Sequence, residues 1–209
     1  MIKLETKFSS TIVVQETLLP NTWFVDIRLL ANSSVNQKNY NIALDRIEFY
    51  VNEILDNSIL LSPSASEMFN NPIGLNGRVH MLPDEPYDHI IGIALYTKLN
   101  SILEKVFFVE SIAVNSYQGD NITHTYESAD GDMDTFRELF TDHDVSEYLD
   151  YWYESSVSHF KLDTNGLQRI TQSWDELGFT YEGNENKVIP LANFKPRIVP
   201  KDNDDPTVA

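Results

Sequence analysis

The sequence contains no cysteine. This absence excludes disulfides, thiolate zinc sites, iron–sulfur clusters and cysteine nucleophiles. Glycine is also scarce, with 8 in 209 residues, which leaves little material for a loop that cradles phosphates. None of the motifs G-x-S-x-G, G-x-x-x-x-G-K or G-x-G-x-x-G occurs. The sequence therefore offers no motif for a serine hydrolase elbow, a phosphate loop or a dinucleotide fingerprint.

Long hydrophobic runs are missing as well. The longest apolar stretch, residues 90–95, is far shorter than the ~20 residues that a helix needs to cross a bilayer. The first 15 residues carry three charged side chains and lack the apolar centre of a signal peptide. Hydrophobic residues nevertheless make up 42% of the chain, which is enough for a folded core. We therefore expect a cytoplasmic protein that does not bind membranes.

Basic residues are few. The chain has 15 Lys and Arg against 32 Asp and Glu, a net charge of −17. Residues 115–160 hold 11 acidic side chains and one basic side chain. A field of this sign repels phosphate backbones and anionic lipids, and it attracts cations and basic protein surfaces. The composition predicts no direct nucleic-acid binding, and it favours a protein partner or a homo-oligomer.

The first third of the chain changes its hydrophobic period. Residues 2–7, 11–16 and 22–29 alternate or are rich in β-branched and aromatic side chains, which predicts three strands of an antiparallel meander. From residue 37 the apolar residues recur at steps of three and four, which predicts a helix over 37–56. A long irregular loop is expected at 62–77.

The stretch that begins at Pro83 contains the strongest pattern. Asp84, Glu85 and Asp88 surround Pro86, an arrangement typical of a helix start. The helix predicted over 87–105 is apolar around most of its circumference, which indicates a central, buried element. The run 106–114 predicts a strand buried on both faces, and 121–126 is expected to pair with it across a turn.

These elements predict an α+β fold. We expect a mainly antiparallel sheet, two long helices packed on one of its faces, and a C-terminal helical segment at 167–177. The domain is expected to span 1–194, with an acidic, partly helical sub-region at 120–178. Residues 195–209 are expected to form a flexible tail.

Residues 86–104, PYDHIIGIALYTKLNSILE, are followed by KVFFVESIAVNSYQGDNITHTYE at 105–127. This segment resembles uncharacterised proteins of large tailed phages of the T4-like group. The 18 asparagines of the chain also fit an AT-rich genome. The resemblance covers about 40 residues and includes no catalytic motif. It implies a phage origin, with the host cytoplasm as the location, and no particular activity.

An acidic cluster is the first candidate site. Asp130, Asp132 and Asp134 alternate, and His143 and Asp144 follow them. Alternating carboxylates can converge on a divalent cation such as Ca²⁺ or Mg²⁺. The calcium-loop pattern fails, however, because glycine is missing at its sixth position. The alternative is a solvated acidic loop. His143-Asp144 is also the doublet of one phosphohydrolase superfamily, whose metal sites need further histidines that His80, His89, His124 and His159 could supply. That superfamily is all-helical, and the predicted strands argue against it.

An aromatic cluster is the second candidate site. Tyr148, Tyr151, Trp152 and Tyr153 fall within six positions. Successive helical residues are about 100° apart, so the last three fan across about 200° of a helix. Side chains spread over that angle cannot all face the core from one helix, and tyrosine and tryptophan are enriched in interfaces. The pattern predicts a contact surface at 145–154, whereas the alternative is a helix that packs this face on its own core.

Three function hypotheses follow. The leading one is a non-enzymatic protein-binding or accessory protein, because catalytic motifs are missing and the acidic, aromatic segment suits protein contacts. It needs no cofactor. The alternative is a metal-dependent hydrolase that uses the Asp/His cluster with a divalent cation. The third is an acidic mimic of nucleic acid that blocks a basic partner.

Overall fold

The chain forms one eight-stranded sheet with helices packed against it. The computed structural model describes residues 1–15, 17–65, 77–119, 122–127, 150–163 and 166–183. The strands are Ile2–Val14 (β1), Thr17–Ala31 (β2), Ser58–Leu61 (β3), Gly77–Met81 (β4), Phe107–Ser116 (β5), His124–Glu127 (β6), Val157–Asp163 (β7) and Gly166–Gln172 (β8). The helices are Gln37–Phe49 (α1), its π-helical continuation Tyr50–Leu55, Asp88–Leu103 (α2) and a short 3₁₀ turn, Asp150–Trp152.

The sheet is mixed. Its strand order is β6-β5-β2-β1-β3-β4-β7-β8. The β1–β3 and β3–β4 pairs are parallel, and the other five pairs are antiparallel. All four residues of β3 are buried, as is typical of a central strand in a parallel region.

The β1–β2 hairpin is the longest feature of the sheet. Its register runs from Ile2↔Leu29 to Val14↔Thr17. Strand β5 pairs with β2 only as far as Trp23↔Ser116. Pro20 has no N–H to donate to a further ladder bond, and its carbonyl accepts a hydrogen bond from Gln118 Nε2 at 3.3 Å instead. The tip of the hairpin therefore extends beyond the β2–β5 ladder.

The helices cover the buried face of the hairpin. In β2, alternate residues from Asn21 to Leu29 are buried, and the ring of Trp23 stacks on Phe8 with centroids 5.1 Å apart. Helix α2 is central, since 13 of its 16 residues are buried and it packs against β5, β6 and α1. A Cβ at Gly92 would lie 2.5 Å from the Tyr126 ring, so only glycine allows β6 to approach this closely.

The predicted fold class is wrong in its sheet and in its helices. The sheet is mixed rather than mainly antiparallel, because the short strands β3 and β4 insert in parallel beside β1. In the described part of the chain, two long helices on one face are not found: α1 ends at Phe49 and continues as a π-helix, with the Asp56 N–H bonded to Val51 O. The two strands predicted at 2–7 and 11–16 are replaced by a single strand, Ile2–Val14.

The C-terminal helix predicted at 167–177 is also wrong. Residues 166–172 form the edge strand β8, paired with β7 from Val157↔Gln172 to Asp163↔Gly166. Pairing with β7 decides the conformation here. The spacing of a few apolar residues at steps of three and four favours a helix only weakly, and hydrogen bonds to a neighbouring strand stabilise the extended conformation more. Among the described residues, no helix is long and apolar enough to cross a membrane. The predicted tail at 195–209 lies outside the described residues.

Candidate functional site

A pocket of about 540 Å³ lies where the hairpin tip, the start of α2 and the β5–β6 connection meet. We call it the carboxylate pocket. Its lining contains both apolar and polar side chains. The apolar side chains are Ile12, Val14, Leu19 and Pro86, and the polar ones are Asn21, Tyr87, Asp88, His89, Ser116, Gln118 and His124. Its volume lies within the range of about 300–1,000 Å³ that is usual for small-ligand sites.

The carboxylate of Asp88 dominates this pocket. Asp88 is only 6% exposed, and its Oδ2 has no hydrogen-bond partner among the described residues. The same holds for Ser116 Oγ. Both oxygens lie close to Gly119, since a Cβ there would lie 2.3 Å from Asp88 Oδ2 and 2.9 Å from Ser116 Oγ. The described residues therefore leave two neighbouring buried oxygens without a hydrogen-bond donor.

The start of α2 explains why a carboxylate is tolerated here. Asp88 is the first residue of α2, where the partial positive charge of the helix N-terminus favours an anion. Tyr87 precedes it and offers no side-chain cap. The Tyr87 hydroxyl donates to Glu85 Oε2 at 2.5 Å, and its ring stacks on His89 with centroids 6.0 Å apart. That hydrogen bond to Glu85 raises the pKa of Tyr87.

A second pocket, of about 560 Å³, adjoins the first and shares Asn21 and Gln118 with it. We call it the hydroxyl groove, because Ser, Thr, Asn and Gln side chains supply most of its lining. Ser10 is 6% exposed, and its Oγ has no partner among the described residues. Asn21 Oδ1 accepts the N–H of Gln118 at 3.0 Å and so joins the hairpin to the β5–β6 connection.

Four histidines form two pairs. The rings of His89 and His124 lie 5.8 Å apart at the carboxylate pocket, and those of His80 and His159 lie 6.3 Å apart in the core. Burial lowers the pKa of His80 to about 3, and it also lowers the pKa of His159. Within the described part of the chain, no group of three or more His, Asp or Glu side chains is arranged to hold a metal ion.

A buried lysine holds the segment that contains the aromatic cluster. Lys98 in α2 is fully buried, and its Nζ donates to the carbonyls of Tyr151, Glu154 and Ser156 at 2.7–2.8 Å. Burial lowers the pKa of Lys98 to about 7. The three acceptors oppose this shift, because an ammonium has three N–H donors and a neutral amine has two.

The structure places half of the predicted aromatic cluster in the core. Tyr151 and Trp152 are 0% and 1% exposed, and both donate hydrogen bonds to the carbonyl of Met81. These two side chains therefore belong to the core instead of a contact surface. Tyr153 is partly buried against the core. Tyr148 lies outside the described residues, so a contact role for the rest of 145–154 stays a prediction.

The predicted metal cluster lies outside the described residues. This holds for all five of its members: Asp130, Asp132, Asp134, His143 and Asp144. Sequence reasoning assigned Asp88 to a helix start and missed its place in a pocket. The pocket forms from three separated segments, so no local pattern marks it. The one feature of the sequence that points to Asp88 is an acidic residue at the start of a strongly apolar helix.

No family model matches this chain, and no curated protein matches it. Among solved structures, 6-pyruvoyltetrahydropterin synthase from Plasmodium vivax is similar over 60% of this chain and 94% of its own, with 14% identity and a TM-score of 0.38. The enzyme from Plasmodium falciparum has the same coverage, 14% identity and a TM-score of 0.34. Likenesses of this degree support no conclusion about family, activity or ligand, and the phage resemblance stays a prediction.

Proposed function

We propose that this chain is a non-enzymatic binding protein and that its carboxylate pocket recognises a cationic N–H donor group. The observation that carries the proposal is the buried, unpartnered Oδ2 of Asp88. Leaving a buried acceptor unpaired costs about 1–3 kcal/mol, and more when the acceptor is charged. A bound ammonium or guanidinium group removes that cost and neutralises the carboxylate.

The surroundings of Asp88 favour a cation over an anion. Among the described residues that line the two pockets there is no lysine or arginine, and the net charge of the chain is −17. The field of such a chain concentrates cations near its surface. The apolar side chains that line the pocket suit a hydrocarbon group attached to the donor, since each Å² of apolar area that is buried contributes about 25 cal/mol to the free energy of binding.

A pair of matched probes tests the proposal. Benzylamine carries an ammonium group, and benzyl alcohol replaces it with a neutral hydroxyl. In titrations followed by amide NMR shifts, benzylamine should bind at least about 10-fold more tightly, and Asp88→Asn should abolish this preference. Asp45→Asn is the control, because it removes the same charge from an exposed position of α1. Equal binding of the two probes, or an unchanged preference in Asp88→Asn, would contradict the proposal.

The other functional hypotheses remain open. A metal-dependent hydrolase would use Asp130, Asp132, Asp134, His143 and Asp144, all outside the described residues. Calorimetric titration with Mg²⁺, Mn²⁺, Ca²⁺ and Zn²⁺ tests it, and tight binding that Asp132→Asn removes would favour the enzyme. An acidic nucleic-acid mimic predicts partner binding with a strong salt dependence. A cytoplasmic location and a phage origin belong to the proposal as well.

A further inference from the structure

Exposed apolar side chains lie on the three parts of the chain that build the carboxylate pocket. Nine large apolar side chains are exposed among the described residues, and five of them lie at the hairpin tip, before α2 or in the β5–β6 connection. We call these five the apolar rim: Leu18, Leu19, Tyr87, Tyr117 and Ile122. Their exposed fractions run from 36% to 84%. Clusters of this kind on a soluble surface mark interaction sites.

Two of the rim tyrosines are attached to fixed parts of the chain. The Tyr87 ring stacks on His89 with an interplanar angle of 8°, and its hydroxyl is bonded to Glu85. The backbone N–H of Tyr117 bonds to Thr22 O at 3.0 Å, while its side chain is 84% exposed. Aromatic groups that are positioned before binding lose little entropy when a partner covers them, and tyrosine is enriched among interface hot spots.

The hydroxyl groove continues the surface beyond the carboxylate pocket. Its hydroxyl and amide side chains offer both donors and acceptors without net charge. A peptide main chain carries the same two kinds of group at every residue. Ser10, whose buried Oγ has no partner among the described residues, is one of the residues that line this groove, and Asn21 and Gln118 connect the groove to the pocket. A small amine in the carboxylate pocket would leave uncovered the groove and the three rim residues that do not line the pocket, Leu18, Tyr117 and Ile122.

We infer that the ligand is an extended segment of another protein that inserts a lysine or arginine side chain into the carboxylate pocket. The main chain of this segment occupies the hydroxyl groove, and apolar side chains next to the basic residue pack on the rim. Charge complementarity favours a basic side chain, because the acidic residue in the pocket lining is Asp88 and the chain as a whole carries a net charge of −17. The inference rests on the proposed function.

A labelled peptide tests the inference on the full chain. The probe is fluorescein-labelled Ser-Leu-Lys-Leu-Ser-amide, and its match replaces the lysine by norleucine. In fluorescence anisotropy titrations the lysine peptide should bind at least about 10-fold more tightly than both its match and benzylamine. Tyr117→Ser and Ser10→Ala should each weaken peptide binding about 5-fold and leave benzylamine binding unchanged. Phe108→Ser, which removes an aromatic side chain exposed elsewhere on β5, should change neither affinity.

The outcomes separate the inference from the proposed function. If benzylamine binds through Asp88 but the lysine peptide binds no better, the ligand is a small amine and the inference is overturned. The same conclusion follows if Tyr117→Ser and Ser10→Ala leave peptide affinity unchanged. If neither probe binds, the proposed function and the inference fail together. Unchanged urea midpoints of the variants will show that each loss reflects binding rather than unfolding.

Discussion

At the scale of single residues, two buried cations bond mainly to backbone carbonyl groups. Lys98 donates to three carbonyls of residues 151–156. Arg46 donates to Phe179 O and Ile102 O at 2.9 Å, and Glu104 lies 3.4 Å away. Burial lowers the pKa of Arg46, yet a guanidinium stays charged in proteins. Lys98 therefore holds residues 151–156 against α2, and Arg46 joins the segment after β8 to the end of α2.

Replacing Lys98 tests the first of these anchors. Lys98→Met keeps much of the side-chain volume but removes the Nζ donor that three carbonyls share, so we expect a loss of about 3 kcal/mol in the free energy of unfolding. Urea denaturation measures it. Lys38→Met is the control, because it removes an exposed ion pair with Glu182 that should contribute less than about 1 kcal/mol. Equal stability of Lys98→Met and the wild type would show that the three carbonyls are solvated.

The buried His80 makes stability depend on pH. Burial lowers its pKa to about 3 in the folded chain, whereas an unfolded histidine has a pKa near 6.5. Between these values the unfolded chain binds more protons, so the free energy of unfolding falls as the pH falls from 6.5 towards 5. Replacing His80 by Gln should reduce this slope by about 1 kcal/mol per pH unit. Urea denaturation at several pH values measures the slope, and parallel curves for variant and wild type would contradict the prediction.

At the scale of elements, local pattern and tertiary pairing decided different parts of the chain. The helix predicted at 87–105 occurs as Asp88–Leu103, and the strand predicted at 106–114 occurs as Phe107–Ser116. Both segments are long and mostly apolar, so a single conformation buries most of their side chains. The strand Gly166–Gln172 was predicted as a helix, because its neighbour β7, which decides its conformation, is invisible to a local pattern. The parallel pairing of β3 and β4 likewise depends on connections between distant segments.

The candidate site was less predictable than the elements that build it. Asp88 was placed correctly near a helix start, but its pocket needs the hairpin tip and the β5–β6 connection as well. Tyr151 and Trp152 were expected at a surface, since four aromatics in six positions exceed one helical stripe. The structure buries both because Asp150–Trp152 is a short 3₁₀ turn covered from several sides, with both polar groups directed at Met81 O.

The segment after β8 depends on Arg46 for its position. The guanidinium Cζ lies 3.7 Å from the centre of the Tyr181 ring and 4.8 Å from that of Trp174. Arg46→Met should therefore raise amide hydrogen exchange about 10-fold in residues 174–183 and leave the β1–β2 hairpin unchanged. Arg169→Met is the control, because that guanidinium pairs with Glu154 instead. Equal exchange in both variants would assign the order of this segment to its apolar contacts alone.

At the scale of the whole molecule, the charge of −17 is the dominant electrostatic property. The side chains of Lys98 and Arg46 are buried and bond to backbone carbonyl groups, so they form few ion pairs with surface carboxylates. Surface acids therefore face one another across water. Self-repulsion of this kind destabilises a compact state and keeps the chain apart from other acidic molecules. Under the proposed function, the same field would supply the long-range attraction for a basic partner that the carboxylate pocket would select at short range.

Salt should stabilise the fold for this reason. When NaCl is raised from about 20 mM to about 300 mM, screening should increase the melting temperature by about 4 °C, equivalent to about 1–2 kcal/mol. MgCl₂ at the same ionic strength should give the same increase, because screening depends on ionic strength rather than on a bound ion. Differential scanning calorimetry in both salts measures it. An unchanged melting temperature in NaCl would show that repulsion between the acidic side chains does not destabilise the folded chain. A larger increase with Mg²⁺ that Asp132→Asn removes would instead establish a specific cation site in the acidic cluster, and with it the basis for the hydrolase hypothesis.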